Sequence, residues 1–280
     1  MMRSATVATE GAEIAYDVEG TGPVLLMIAG AGGDAPRYGP LAARLSDTYT
    51  IVRYDRRANS RSTGDPQQEL DVAQQARDAV AILDAVGAGQ AYVFGNSGGA
   101  SIALRLTQDR PDRVAGLIIH EAPVITILPD ATEWRAFVDE VEGIFRTQGL
   151  GPAMMRFAGS LRGFQHRLAD PEKRVGEGAG GANMEHFMAR EYRPITLFEP
   201  DLARIRASGV PVAALVGRAS EDAYYVRSTQ LVAEALRCPC YPISGHHVAF
   251  ATDTALFANE FRPILDQLAQ QSTANKEKYA

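Results

Sequence analysis

Short, wholly apolar runs alternate with longer stretches of helical period along most of this chain, and that alternation leaves few architectures open. Val24-Leu25-Leu26-Met27-Ile28-Ala29 is apolar throughout, the pattern of a strand covered on both faces. Residues 49–54, 91–94 and 114–120 read the same way, and 211–216 and 240–243 repeat the signal towards the C-terminus. Between them, helices are predicted over 40–46, 70–86, 100–108, 221–236 and 254–268, with Gly87 and Gly89 closing the second. Strand alternating with helix predicts an α/β fold, a mostly parallel central sheet with helices on both faces. Residues 14–18 alternate apolar and polar, as a half-exposed strand does, and Gly20-Thr21-Gly22-Pro23 is turn chemistry. The two opening strands are expected as antiparallel additions at an edge.

The regularity stops at Pro123. From there to about Pro200 the chain reads as helical, and Trp134, Phe137, Val138, Val141 and Phe145 fall on one stripe of a helix. Residues 174–181 are glycine-rich and read as a mobile segment, while 270–280 are polar and expected to fray. The domain expectation is a core of 1–122 and 200–270, a helical cap inserted at 123–199 after the sixth strand, and a polar tail at 271–280.

Composition narrows the function classes. In 280 residues, 28 basic and 34 acidic side chains give a net charge of −6, which disfavours nucleic acid as a partner. With 46% hydrophobic and 22% charged residues, a sizeable buried core is expected and wholesale disorder is not. No apolar run approaches the ~18–20 residues of a membrane span, and no secretory signal is read at Met1-Met2-Arg3-Ser4. The only cysteines, Cys238 and Cys240, flank Pro239 and make neither a disulfide framework nor a zinc site. A soluble, acidic, cytoplasmic protein is the expectation, with no membrane partner.

Gly95-Asn96-Ser97-Gly98-Gly99, between a predicted strand and a predicted helix, is the most informative stretch. Gly-x-Ser-x-Gly in that context predicts a nucleophile elbow, whose tight turn strains the serine and needs small residues two positions either side. The competing reading is a glycine-rich turn with a helix-capping serine. The spacing fits neither a Rossmann loop nor a P-loop. A serine at its ordinary pKa is a poor nucleophile and needs a base. Of the five histidines, His246 and His247 follow the last predicted strand, where a base would meet Ser97. His166 and His186 fall in the insertion and read as solvent-facing or packing residues; His120 with the His246-His247 pair lacks persuasive metal-ligand spacing. For the acid that orients the base, the residues alone leave two positions open: Glu121, ending an apolar strand, and Glu221 or Asp222, after the 211–216 strand.

Several segments resemble the α/β-hydrolases. The ending Gly245-His246-His247-Val248-Ala249-Phe250 is similar to theirs, and the resemblance implies His247 as the base with His246 as a neighbour. Ile119-His120-Glu121-Ala122-Pro123 looks like the His-Glu-x-Pro segment of members that include the zearalenone lactonases, which implies Glu121 as the acid and leaves Asp222 as the alternative. Ser220 stands where many relatives carry aspartate. An oxyanion hole needs two donors. One is expected to be the Gly98 N–H; the other is expected from Ala29-Gly30-Ala31, where the family reads His-Gly-x, with Ala31 preferred and Gly30 next. Asp55-Arg56-Arg57-Ala58-Asn59-Ser60-Arg61-Ser62 resembles the Asp-x-Arg-Gly-x-Gly-x-Ser segment, with Ala58 and Ser60 replacing both glycines. That loop is expected to be structural support, its cationic run a solvated charged turn.

The resemblance covers about 10–122 and 200–268 and implies the α/β-hydrolase fold with serine hydrolase chemistry on a hydrophobic ester or lactone, by way of an acyl-enzyme and without a cofactor or metal. The apolar insertion is expected to select the substrate; Trp134, Met154, Phe157, Phe187 and Met188 are the candidate pocket residues, and Phe137, Met155, Phe164, Met184, Tyr192 and Phe198 belong to the same apolar set. Alternatives are a cofactor-free haloperoxidase or carbon–carbon bond hydrolase with the same triad, a ligand receptor on the hydrolase fold, and a purely structural partner protein. A homodimer is left open.

Overall fold

The computed structural model describes residues 2–163 and 180–279, so Phe164, His166 and most of the glycine-rich stretch at 174–181 lie outside the described residues. Eight strands form one sheet: β1 (Arg3–Thr9), β2 (Ala12–Glu19), β3 (Val24–Ile28), β4 (Thr50–Tyr54), β5 (Ala91–Asn96), β6 (Val114–His120), β7 (Val212–Gly217) and β8 (Cys240–Ile243), in the order β1-β2-β4-β3-β5-β6-β7-β8. β1 pairs antiparallel with β2 and β2 antiparallel with β4, while every later pairing is parallel. β1 and β2 are thus the antiparallel additions at the edge; of the two, only β2 was among the strands read from the sequence. β1 itself carried no signal that separated it from a loop, because its alternation is of exposed against half-buried positions.

Successive side chains of a strand point to opposite faces, and the central strands are apolar on both. Leu26, Ile28, Val93, Leu117 and Ile119 pack on one side against helices α2 (Val72–Ala85) and α3 (Gly98–Asp109). Leu25, Met27, Phe94, Ile118 and Leu215 pack on the other side against α1 (Gly39–Leu45) and Phe257 and Phe261 of the C-terminal helix, which runs Thr254–Tyr279. This helix continues eleven residues beyond the predicted end at Leu268, because nothing in its polar continuation breaks a helix and Ala, Gln, Lys and Glu favour one. The predicted 221–236 helix starts later, at Tyr224, since Glu221 has φ +49° and cannot be a helical residue.

After β6 the chain leaves the sheet for a helical insertion. It contains α4 (Ala131–Gln148), α5 (Leu150–Ala158), α6 (Gly180–His186), one π-helical turn (Phe187–Glu191) and α7 (Tyr192–Thr196). Val138 and Val141 carry the predicted stripe of α4 into the interior, with Trp134, Phe137 and Phe145 packed beside them. Ala122, at the point of departure, is locked on both sides: its N–H donates to Thr229 Oγ1 at 2.7 Å and its carbonyl accepts from Ser228 Oγ at 2.5 Å.

The 55–62 loop departs from expectation. Its cationic run is not a solvated turn: Arg56 is fully buried and Arg57 forms a two-pronged pair with the buried Asp78. Ala58 and Ser60 adopt φ +59° and +49°, left-handed conformations that cost an L-residue about 1–2 kcal/mol and glycine nothing. Ser60 repays part of this through hydrogen bonds with Asn183 of the insertion, whereas the Ala58 methyl has no such return. Ala58→Gly is therefore expected to stabilise the fold by up to about 1 kcal/mol, read as a rise of about 2–4 °C in Tm.

Candidate active site

β5 ends at Asn96 and α3 begins at Gly98, so one residue makes the turn. That residue, Ser97, has φ +54° and ψ −129°, strained for any side chain. The turn is held by Ser97 N–H donating to the His120 carbonyl at 2.9 Å. A Cβ on Gly95 would lie 2.7 Å from Ala100 Cα, and one on Gly99 would strike the end of β3, so both positions need glycine for space. The Ser97 hydroxyl does not cap α3, which removes the helix-capping reading, and no described residue takes it as a hydrogen-bond partner.

The β3 loop comes against this turn. A Cβ on Gly30 would lie 2.9 Å from both Asn96 O and Ser97 Cβ, and 3.2 Å from Gly98 N. Only a residue without a side chain allows Gly30 and Ala31 to approach the elbow this closely. Gly98 in turn faces Ile195 of the insertion, whose Cγ2 would sit 2.8 Å from a Cβ at that position.

Glu121, at the C-terminal end of β6, and His247, after β8, meet although 126 positions separate them: Glu121 Oε2 lies 2.7 Å from His247 Nδ1. Glu121 is fully buried, and its other oxygen accepts from Gly217 N–H at 2.8 Å. Burial pushes its carboxyl up, but the charge of the neighbouring His120 and His247 imidazoles when protonated, together with the hydrogen bond to His247, brings it below the ordinary range. It is therefore a carboxylate at neutral pH, able to hold the proton on His247 Nδ1 and leave Nε2 as the accepting nitrogen. Tyr225 lies against the His247 ring at 4.5 Å between centroids. Asp222 is exposed, whereas Ser220 is buried beside Glu121.

Two features escaped the sequence reading. Asn96 Nδ2 donates to the His247 carbonyl at 3.1 Å and faces His120 Nδ1 at 2.9 Å. Because one partner is a carbonyl, the group facing His120 is a donor and Nδ1 accepts. Burial pushes the His120 pKa down to about 4, consistent with this neutral ring, which stacks between Phe94 and His247. The second is Arg56, whose guanidinium grips Glu191 of the insertion at 2.8 and 2.6 Å and the Gly30 carbonyl at 3.0 Å.

Phe157, Phe187 and Met188 are buried, and Trp134 and Met154 half-buried, in one apolar cluster that also contains Tyr225 and reaches Ala31. Trp134 stacks on Tyr224 at 4.2 Å, and Phe157 packs on Phe187 and Tyr192. His186 is half-buried 3.7 Å from Glu191, a packing position rather than a solvent-facing one.

A mostly parallel sheet with helices on both faces, an insertion after β6, and a strained serine between strand and helix define a class of enzyme scaffold. The family model described as alpha/beta hydrolase fold matches residues 23–165, just over half of the 280, and the chain belongs to that family. It is 27% identical over 273 residues to an uncharacterised hydrolase, YraK, of Bacillus subtilis (strain 168), covering 95% of this chain and 97% of the relative. Among solved structures, a thermophilic esterase from Thermogutta terrifontis superposes with a TM-score of 0.78 at 20% identity, covering 95% of this chain and 99% of the other. An enol-lactonase from Burkholderia xenovorans LB400 superposes at 0.73 with 16% identity, covering 94% of this chain and all of the other, at 100%. No helix among the described residues is long and apolar enough to cross a membrane.

Proposed function

We propose that this chain is a serine hydrolase that cleaves a small hydrophobic carboxylic ester or lactone through Ser97, His247 and Glu121. The observation that carries the reading is the buried 2.7 Å contact between Glu121 and His247, on the same sheet edge as an uncapped serine at φ +54°. Asn96 links the two parts, since it precedes Ser97 and its side chain holds the His247 carbonyl.

In this reading, Ser97 Oγ attacks the carbonyl carbon while His247 Nε2 takes its proton. Glu121 holds the imidazole in the required tautomer and stabilises its cation. Charge developing on the carbonyl oxygen meets the N–H groups of Ala31 and Gly98. The bond from the acyl carbon to the alkoxy oxygen breaks as His247 returns the proton to the departing alkoxide; the same ring then takes a proton from the attacking water and gives it to Ser97 Oγ as the acid leaves. In a lactone the alcohol stays tethered and the product is a hydroxy acid. The apolar cluster of the insertion supports a hydrophobic substrate, and the names of the structural neighbours, an esterase and an enol-lactonase, support the bond type.

The test is a panel of aryl esters of graded chain length with several lactones, combined with fluorophosphonate labelling. Turnover of at least one member and a single covalent adduct on the peptide containing Ser97 are expected. A protein that labels elsewhere, or turns over the panel equally well after full labelling of Ser97, would not be this enzyme.

A further inference from the structure

The geometry points to Arg56 as the positioning residue of the oxyanion peptide, with Glu191 of the helical insertion holding Arg56 in place. This rests on the serine-hydrolase reading above and adds to it a control that the Ser97, His247 and Glu121 set does not contain.

The Gly30 carbonyl and the Ala31 N–H belong to one planar trans peptide and point in opposite directions. Whatever fixes the carbonyl therefore fixes the direction of the N–H. Gly30 O accepts from Arg56 Nη2 at 3.0 Å and from Gly33 N–H at 3.0 Å. The side of the peptide away from them carries the Ala31 N–H, and Gly30 itself lies against Ser97 and Gly98 N. Where the resembled family places a histidine ahead of this glycine, the present chain has Ala29, which offers no side-chain hydrogen bond.

Arg56 can serve because its guanidinium cannot drift. It is fully buried, and both terminal nitrogens are engaged by Glu191, itself 1% exposed and also held by Asn59 Nδ2 at 2.9 Å. A planar two-pronged pair of this kind fixes orientation as well as charge. Glu191 closes the π-helical turn of the insertion, an irregularity that aims its side chain into the core. The insertion holds the same loop a second time, through Asn183 Nδ2 donating to the Gly32 carbonyl at 2.8 Å. The oxyanion loop is thus braced from the insertion, and Arg56 transmits that brace to the Gly30–Ala31 peptide, one of the two whose N–H groups face the reacting carbonyl.

A positioning role separates from a merely structural one in how it divides kcat from KM. Arg56→Met combined with Glu191→Met removes both buried charges at similar volume, a replacement that buried pairs tolerate. With an aryl ester turned over by the wild type, this variant is expected to lose roughly 100–1000-fold in kcat, the scale of a lost oxyanion donor, with KM within threefold. Its affinity for an aryl trifluoromethyl ketone, whose serine adduct carries the same oxyanion, should weaken in parallel. Arg56→Lys keeps the charge but replaces the fork by a single ammonium, and a loss of at least tenfold in kcat is expected there too. Should the double variant fail to fold, Arg56→Lys decides. Wild-type kcat and ketone affinity in a folded variant, or a rise in KM alone, would overturn the inference. Ser97→Ala run alongside separates the two readings: if it is inactive while the Arg56 variants match wild type, only this inference falls.

Discussion

Ser97→Ala is expected to abolish turnover of every ester and lactone that the wild type accepts, with kcat lower by about 10⁵–10⁶-fold, the scale seen when a serine nucleophile is removed from an acyl-transfer site. The size of the effect follows from the site having one hydroxyl on the strained turn and a base whose other nitrogen is already committed to Glu121. Folding should be untouched. The hydroxyl caps nothing, alanine faces the same backbone strain as serine at φ +54°, and no hydrogen bond is lost on truncation. Tm is expected to stay within a degree or two and KM near its wild-type value. A variant that keeps even a tenth of wild-type kcat would end the serine mechanism.

Glu121→Gln should cost about 10³–10⁴-fold in kcat, because an amide facing His247 Nδ1 favours the wrong tautomer and cannot balance the imidazolium. Asp222→Asn, on an exposed side chain, should stay within twofold of wild type. The reverse ranking would move the acid to the β7 loop. The substitution also has a pH signature. The folded carboxyl of Glu121 lies below its ordinary value, so the stability it contributes is present above the unfolded pKa and is lost as the pH falls through the folded one. Glu121→Gln should therefore lower Tm at neutral pH and narrow its difference from wild type under acid conditions, as read by thermal melts across the range.

How far the sequence reached can be judged residue by residue. The elbow was legible because Gly95 and Gly99 lie two positions from Ser97, the first excluded from carrying a side chain by the turn itself and the second by the end of β3. The parallel strands were legible because burial on both faces writes an unbroken apolar run. β1 was not, since an edge strand facing solvent needs no apolar signature. The choice between Glu121 and Asp222 stayed open on the residues themselves because both follow strands that end at the same sheet edge; only the backbone turn at φ +50° aims the Glu121 side chain inward. Arg56 was misread for a related reason. Among Arg57 and Arg61 it looks like surface charge, and the carboxylate that allows its burial lies 135 residues away on the insertion. Pairings of that range leave no trace in a window of neighbouring residues.

The lock on Ala122 has a consequence for how such a chain can diversify. Thr229 and Ser228, both outside the insertion, fix the peptide through which the chain departs from the sheet, and Glu121 just before it is tied to Gly217 and His247. Under the proposed function, drift, lengthening or exchange of the segment beyond Pro123 is therefore expected to remodel what is admitted without displacing Glu121. The segment is tied back to the core at more than one place, through Glu191 on Arg56 and Asn183 on Gly32 and Ser60. Under the proposed function, a graft that keeps an acid in the place of Glu191 is expected to retain activity, and one that drops it leaves the buried Arg56 without its carboxylate.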